Sequence, residues 1–302
     1  MWQELATSLQ AGNIKALARS ISLVENERDG YFGFLQQLPA HNTKIIGITG
    51  PPGAGKSTLV DSLIAVFVEA GKKVAVLCVD PSSPFTMGAL LGDRIRMSRW
   101  YTHPRVFIRS LASHGSMGGL NPMIIEITSL LKAAAFDHII VETVGIGQSE
   151  VEIAGLADIT VVVLVPEAGD EIQTMKAGLM EIADIFVVNK SDRPDADSFV
   201  KNLRQLLAPA FTRQTHEVPV IKTIASEKTG VNKLADEIIR QSSHQSNDKK
   251  VYLLTRKAWQ ILQRLRMKGL DIKNIGQQVE ERLKKGDFNL FSLVEEINKS
   301  NS

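Results

Sequence analysis

The sequence of 302 residues has almost no cysteine and no excess of either charge. Its single cysteine, Cys78, stands in an apolar run, so a disulfide within one chain is impossible and a buried structural thiol is the interpretation. Lysine and arginine number 35, aspartate and glutamate 33, and the net charge is +2. This balance gives no bulk electrostatic attraction to nucleic acid or to an anionic membrane surface, and we expect neither as a partner.

Long hydrophobic runs are also missing. The most apolar stretch, Ile159 to Val165, is far shorter than the about 20 residues that a membrane-spanning helix needs. The first residues, Met1 to Glu4, do not form the basic region followed by a hydrophobic one that a secretory signal requires. We therefore predict a soluble, cytoplasmic protein, long enough to bury a core as one large domain or about two ordinary ones.

What the sequence does contain is a phosphate-binding signature at residues 44–60, KIIGITGPPGAGKSTLV. Ile45, Ile46 and Ile48 predict a buried strand, and a helical pattern follows the glycines. The pattern GxxxxGKS between a strand and a helix is typical of a loop whose backbone N–H groups bind phosphate oxygens. Lys56 is predicted to contact the β and γ phosphates and Ser57 to bind Mg²⁺, and an ordinary glycine-rich turn is the alternative. The predicted nucleotide-binding residues of this loop are Gly50, Pro51, Pro52, Gly53, Ala54, Gly55, Lys56, Ser57 and Thr58.

Acidic residues at predicted strand ends are candidates for metal binding and catalysis. Asp80 follows the apolar run KVAVLCV. It either binds Mg²⁺ through water, beside the phosphate loop if the two strands are neighbours, or caps a helix or a turn. Asp93 either caps a short helix or reaches the metal and the attacking water. Glu142 ends the run HIIVE and is followed three residues later by Gly145, which is the pattern of a Walker B segment. In such a segment the carboxylate holds hydrated Mg²⁺ and the glycine N–H bonds the γ phosphate. The predicted catalytic residues are Lys56, Asp93 and Glu142, and the predicted metal ligands are Ser57, Asp80, Asp93 and Glu142.

The identity of the base is predicted from the tetrapeptide NKSD, which includes Asn189, Lys190 and Asp192. A fixed Asp192 carboxylate accepts hydrogen bonds from N1–H and the 2-amino group of guanine, whereas adenine has an acceptor at N1 and no such amino group. A buried carboxylate left unpaired would cost on the order of 1–3 kcal/mol or more. The sequence therefore favours GTP over ATP.

Six motifs together resemble a known family. GPPGAGKST, VDPSSP, GDRIRM, VETVGIGQSE, GLMEIAD and NKSD, in this order and approximate spacing, are similar to the MeaB, ArgK and MMAA group of P-loop GTPases, which belong to the SIMIBI class. These proteins are chaperones of adenosylcobalamin-dependent acyl-CoA mutases, typically methylmalonyl-CoA mutase. The resemblance implies bound GTP or GDP with Mg²⁺, weak basal GTP hydrolysis stimulated by the mutase, and control of cofactor loading or protection.

The resemblance also implies roles for further segments. The third switch of the family, which signals the nucleotide state to the mutase, is matched by Gly169 to Gly178 with Asp170 and Lys176. The base-contacting loop Thr-Ser-Ala of the family is matched by TIA, in which Ile224 stands at the serine position and Ala225 retains a backbone N–H for guanine O6. The carboxyl-terminal region supports homodimerisation in the family.

The predicted architecture is an α/β protein with a mostly parallel, doubly wound P-loop NTPase sheet and helical extensions at both ends. We predict a helical extension at residues 1–40, a GTPase domain at 41–242 and a carboxyl-terminal helical region at 250–302.

Two other functions compete with this prediction. A nickel-insertion GTPase should carry clusters of metal-binding Cys or His, and one cysteine with six dispersed histidines argues against it. A nucleotide-dependent kinase acting on a small molecule or a protein is the other alternative, although NKSD is unexpected there.

Overall fold

A computed structural model describes most of the chain as two compact units, Met1–Leu253 and Leu254–Ser302. The described residues are 1–39, 41–80, 97–113, 120–143, 149–167, 181–211, 218–243, 247–267, 269–270, 272–286 and 288–300.

The first unit is built on one sheet, to which seven described strands contribute. The strands are β1 (Ile45–Thr49), β2 (Val74–Asp80), β3 (Val106–Ala112), β4 (His138–Glu142), β5 (Ile159–Leu164), β6 (Ile185–Val188) and β7 (Val220–Lys222). Their spatial order is β3-β2-β4-β1-β5-β6-β7, and each neighbouring pair in this order is parallel. The predicted parallel α/β sheet is confirmed.

Helices precede, connect and follow the strands. The first unit contains α1 (Trp2–Gln10), α2 (Ile14–Glu25), α3 (Tyr31–Gln36), α4 (Lys56–Glu69), α5 (Ile124–Ala133), α6 (Ser149–Leu156), α7 (Ala196–Phe211) and α8 (Val231–Ser243). The division between the units falls within α9 (Asn247–Arg266), and the second unit continues with α10 (Ile272–Lys285) and α11 (Leu290–Ser300). Helices therefore occur at both ends of the chain, while the domain bounds given above stay a prediction.

Both faces of the sheet are covered by helices. Successive side chains of a strand point to opposite faces, and Ile46 and Ile48 pack in one cluster with apolar residues of α4 and α8. A side chain at Gly47 would point to the other face, where its Cβ would lie 2.5 Å from Cγ1 of Ile153 in α6. Glycine at this position therefore lets α6 pack directly on β1. Because both faces are covered, every residue of β1, β5 and β6 is buried.

The amino-terminal helices belong to the first unit and pack near β3. Helix α2 begins after Asn13, whose Oδ1 accepts a hydrogen bond from the backbone N–H of Ala16 at 3.0 Å. Helix α2 contacts α5, and Nη2 of Arg109 in β3 donates to Ser22 Oγ and to Glu25 Oε2 of α2, each at 3.2 Å. These polar contacts join the helical extension to the sheet.

Strand β1 lies where the order of the strands reverses, between β4 and β5. Open α/β sheets bind ligands outside the carboxyl ends of the strands at such a point. The carboxyl ends of β1, β4 and β6 are followed by the phosphate signature, by Thr143 and by Asn189, respectively. Among the described residues, no helix combines the length and the apolar character needed to cross a bilayer.

Candidate nucleotide-binding site

Three glycines shape the turn that connects β1 to α4. Gly50, Gly53 and Gly55 have φ values of +139°, +76° and +86°, which residues with a side chain rarely adopt. At Gly50 a Cβ would lie 2.1 Å from the carbonyl oxygen of Val163 in β5, so only glycine lets the chain leave β1 beside this strand. Helix α4 begins at Lys56, directly after Gly55, which places the positive end of the helix dipole at the turn. The turn therefore has the backbone geometry of a phosphate-binding loop.

The ammonium of Lys56 is held across this turn. Its side chain is buried, and Nζ donates hydrogen bonds to the carbonyl oxygens of Gly50 at 2.8 Å and Pro51 at 3.0 Å. These contacts satisfy a cation that is withdrawn from water. Hydrogen bonds from an ammonium to charged phosphate oxygens are stronger than those to neutral carbonyl oxygens. The ammonium of Lys56 is therefore suited to exchange these carbonyl oxygens for phosphate oxygens.

Ser57 and Glu142 meet behind the phosphate loop. Strands β1 and β4 pair with Ile48 opposite Glu142, and Ser57 Oγ donates to Glu142 Oε1 at 2.7 Å. Both side chains are buried, 6% and 3% exposed. Mg²⁺ prefers oxygen ligands and is usually held by one or two carboxylates, the remaining positions being filled by water and phosphates. The hydroxyl and the carboxylate therefore fit a hydrated Mg²⁺, although no group of three or more His, Cys, Asp or Glu within the described residues is arranged to hold a metal.

The condition under which Asp80 would lie beside the phosphate loop is not met. Strand β4 stands between β1 and β2, and Cys78 of β2 is paired with Glu142. The backbone of Asp80 therefore ends one strand further from β1 and two residues beyond this pair, and its side chain lies outside the described part of the structure. Glu142 is the predicted acidic ligand on the strand adjacent to β1.

Asn189 connects the phosphate loop to the predicted base loop. Its Nδ2 donates to the carbonyl oxygen of Ala54 at 2.9 Å, and its Oδ1 accepts from Thr223 Oγ1 and from the Ala225 backbone N–H, both at 3.1 Å. A Cβ on Gly55 would lie 2.4 Å from Asn189 Nδ2, so this close approach requires glycine in the loop. Three segments that are distant in sequence are thereby held by one buried amide.

The predicted base-binding residues surround this amide. Lys190 has φ +54° and its Nζ donates to the Gly53 carbonyl oxygen at 2.7 Å, while Asp192 is exposed to solvent. The Ala225 N–H, predicted to contact guanine O6, donates to Asn189 Oδ1 in this structure. To contact the base, this N–H must either donate to Asn189 Oδ1 and guanine O6 at once or exchange the first acceptor for the second. The contact with guanine stays a prediction.

An ion pair joins the loop after β5 to the loop after β6. Arg193, the residue after Asp192, donates from Nη1 to Glu167 Oε1, and this hydrogen bond holds the pKa of Glu167 below its ordinary value. Both side chains are largely exposed, so the pair contributes little to stability in water.

Several predicted residues lie outside the described parts of the chain. They are Asp93, Gly145, and the third-switch segment Gly169 to Gly178 with Asp170 and Lys176. The structure therefore brings together the phosphate loop, Glu142, Asn189, Lys190 and Ala225, while the roles of these other residues stay predictions.

Two polar residues of α4 make hydrogen bonds with distant segments that were not predicted. Asp61 accepts hydrogen bonds from Arg99 Nε at 3.0 Å and from Trp100 Nε1 at 2.7 Å, and Ser62 Oγ donates to the Ala225 carbonyl oxygen at 2.6 Å. No local pattern identifies either residue, because a polar side chain in a helix is compatible with a solvated face. Their partners come from segments distant in sequence.

Several known proteins are similar to this chain. The family model described as methylmalonyl Co-A mutase-associated GTPase MeaB matches residues 17–277. A putative GTPase of Pyrococcus abyssi is 48% identical over 243 residues, covering 79% of this chain and 75% of that protein. A fused isobutyryl-CoA mutase of Geobacillus kaustophilus is 39% identical over 234 residues, which are 72% of this chain and 22% of that protein.

A solved structure supports the fold over the whole chain. The crystal structure of a LAO/AO transport system kinase has a TM-score of 0.64 and 25% identity, and the similarity covers 99% of this chain and 96% of that one. The resemblance stated from the six motifs and the predicted GTPase class are both confirmed by the family match. The chain belongs to the MeaB family of methylmalonyl-CoA mutase-associated GTPases.

Proposed function

We propose that this protein is a cytoplasmic, Mg²⁺-dependent GTPase whose nucleotide state regulates an adenosylcobalamin-dependent acyl-CoA mutase. The observation that carries the nucleotide assignment is the position of Asn189, which bonds the phosphate loop through Ala54 and the predicted base loop through Ala225. One buried side chain thus joins the segment predicted to bind phosphates to the segment predicted to bind the base. This arrangement supports binding of a whole nucleoside triphosphate rather than of a phosphate group alone.

The residues of the phosphate loop supply the charge stabilisation. Lys56 exchanges its contacts with the Gly50 and Pro51 carbonyl oxygens for the β and γ phosphates, and the N–H groups at the start of α4 bind the same oxygens. Ser57 and Glu142 hold Mg²⁺, which when bound neutralises charge on the β and γ phosphates. Asp93 positions water or metal in this proposal, and Gly145 contacts the γ phosphate.

Guanine is selected by Asp192, which accepts from N1–H and the 2-amino group of the base. Replacing the carboxylate by an amide exchanges one acceptor for a donor. Xanthine offers a carbonyl oxygen where guanine has its amino group, so Asp192→Asn should bind xanthosine diphosphate more tightly than GDP. Calorimetric titration of both nucleotides measures the exchange, and an unchanged preference for GDP would remove Asp192 from base recognition.

Hydrolysis is tested by GTP turnover of single variants. Lys56→Ala and Asp93→Ala should each lower the rate at saturating GTP by at least about tenfold, because positioning and charge stabilisation provide most of the acceleration of phosphoryl transfer. Ser129→Ala, in α5 and remote from the loop, is a matched control that should keep the wild-type rate. Wild-type rates in both site variants would refute the proposed mechanism.

The mutase partner is proposed from the family and from the fused relative. In the Geobacillus protein, the segment similar to this chain is part of one polypeptide named an isobutyryl-CoA mutase. A separate GTPase would instead bind its mutase as another chain and control loading or protection of the cofactor. Co-purification with candidate mutases, with the GTP turnover measured alone and with each, tests this; no association and no change of rate would oppose it.

Homodimerisation is proposed through the second unit. Its exposed apolar residues include Ile272 and Phe291, which are 83% and 81% exposed, and contact with a second copy would remove such side chains from water. Phe291→Glu should shift the protein toward the monomer in sedimentation analysis. Gln277→Glu adds the same charge at an exposed position of α10 and should leave the mass unchanged.

A kinase is the second candidate, because the solved relative is named a LAO/AO transport system kinase. Transfer of the γ phosphate from labelled GTP or ATP to a small molecule or to a protein would favour it. Release of inorganic phosphate alone would favour the GTPase.

A further inference from the structure

Ser62 makes an uncommon contact for a serine in a helix interior. Such a side chain usually faces solvent or bonds a carbonyl oxygen of its own helix. Ser62 is 4% exposed, and its Oγ instead donates to the Ala225 carbonyl oxygen, 163 residues away in sequence, at 2.6 Å. The hydroxyl therefore joins the helix that follows the phosphate loop to the predicted base loop.

This contact closes a ring of hydrogen bonds around the site. Asn189 donates to the Ala54 carbonyl oxygen at 2.9 Å, the Ala225 N–H donates to Asn189 Oδ1 at 3.1 Å, and Ser62 donates to the Ala225 carbonyl oxygen. The chain from Ala54 through the first turns of α4 to Ser62 completes the ring. Ala54, Asn189, Ala225 and Ser62 are all almost completely buried.

We infer that Ser62 is a positioning residue for guanine specificity: its hydroxyl sets the place of Ala225, and thus of the base loop, relative to the phosphate loop. The inference rests on the proposed binding of guanine nucleotides. The donors of Ala225 and Thr223 are held from one side by Asn189. Ser62 is a second side chain that bonds this loop, at the Ala225 carbonyl oxygen, while the backbone of Thr223 bonds Val188 and Ser191.

The consequence follows from the burial of the Ala225 carbonyl. Without the Ser62 hydroxyl, this oxygen loses its 2.6 Å hydrogen bond and keeps the longer bond, 3.3 Å, from the Lys228 backbone N–H, so the loop is held less firmly and can move. Movement weakens contacts with the base, whose selection depends on well-placed donors and acceptors. Contacts with the phosphates remain, because Gly50–Lys56 and the start of α4 are held by hydrogen bonds of the backbone and of Lys56 Nζ that do not involve Ser62.

Ser62→Ala therefore separates base binding from phosphate binding. We expect GDP to bind about tenfold more weakly, which is the scale of one lost buried hydrogen bond. ADP and tripolyphosphate should bind within about twofold of the wild type, so the preference for GDP over ADP should fall by nearly the same factor. Calorimetry gives the dissociation constants, and thermal unfolding of each nucleotide-free variant reports global stability.

Two further variants keep the test decisive. Ser129→Ala removes a helical serine whose Oγ bonds only its own helix, at Ile125, and should leave every dissociation constant unchanged. Ser62→Cys retains a weak donor of similar size and should lower the preference for GDP less than Ser62→Ala does. If Ser62→Ala fails to fold, an unchanged preference in Ser62→Cys overturns the inference.

The outcomes distinguish the inference from the function on which it rests. A wild-type protein without preference for GDP over ADP would refute guanine binding itself. A wild-type preference that Ser62→Ala retains would overturn the role of Ser62 and leave the proposed function intact. Equal weakening of GDP, ADP and tripolyphosphate with a lower unfolding temperature would assign Ser62 a merely structural role and also overturn the inference.

Discussion

Adding one methyl group to two glycines of the phosphate loop should have unequal effects. Gly50 and Gly53 both have positive φ, +139° and +76°, and an alanine at either position is strained by about 1–3 kcal/mol. At Gly53 a Cβ would meet nothing within 4 Å, whereas at Gly50 it would lie 2.1 Å from the Val163 carbonyl oxygen and 3.0 Å from the Val163 carbonyl carbon. These are backbone atoms of a central strand, so no side-chain rotation relieves the overlap.

We therefore expect Gly50→Ala to lower the free energy of unfolding by about 3 kcal/mol or more, and Gly53→Ala by about 1 kcal/mol. Urea unfolding followed by circular dichroism measures both, and calorimetric GDP titration shows whether the remaining folded protein keeps its affinity. Gly53→Ala is the matched control because it has the same chemistry, the same loop and no overlap. Equal losses of stability in the two variants would refute the assignment of the overlap with Val163 as the cause.

Three other substitutions test individual contacts. Ser20 is completely buried in α2 and its Oγ has no hydrogen-bond partner among the described residues, so Ser20→Ala should raise the free energy of unfolding by about 1 kcal/mol. A lower free energy of unfolding would contradict this. The control Ser129→Ala breaks a hydrogen bond and should therefore stabilise the protein less than Ser20→Ala does. Burial lowers the pKa of His138 from 6.5, so its contribution to stability is complete above about pH 6.5 and is lost as the pH falls toward the lowered pKa. The free energy of unfolding, measured from pH 7 to pH 5, should therefore decrease as the pH falls. His138→Phe should make this decrease smaller. Asp61→Ala leaves the indole N–H of Trp100 without its partner and should cost about 1–2 kcal/mol in urea unfolding, whereas an unchanged midpoint would show that water replaces the carboxylate.

The phosphate loop was predictable because its chemistry is contiguous. Glycines, Lys56 and Ser57 must lie next to one another for a strand, a tight turn and a helix to surround phosphate oxygens, so their spacing appears directly in the sequence. Glu142 was identifiable by a similar local signal, a carboxylate at the end of an apolar strand. The structure brings Glu142 into contact with Ser57, 85 positions away, while the binding of Mg²⁺ by these residues stays a prediction.

The order of the strands was less accessible. Buried parallel strands are apolar along their whole length, so β2 and β4 look alike in sequence and neither shows which of them lies beside β1. For this reason the sequence left open whether Asp80 stands next to the phosphate loop, and the structure places β4 between them. The contact of Gly47 with Ile153 was hidden for the same reason, since a glycine within a strand does not reveal which helix approaches it.

By itself the sequence determined the α/β class, the phosphate loop, the preference for guanine expected from NKSD and the family, because each depends on motifs whose own residues are close together in the chain. The tertiary structure decided which distant groups meet: Asn189 with Ala54 and Ala225, and Ser62 with the Ala225 carbonyl. A hydrogen bond between remote segments leaves no periodicity or spacing in a single sequence, because its geometry depends on the order of the strands and the packing of α4.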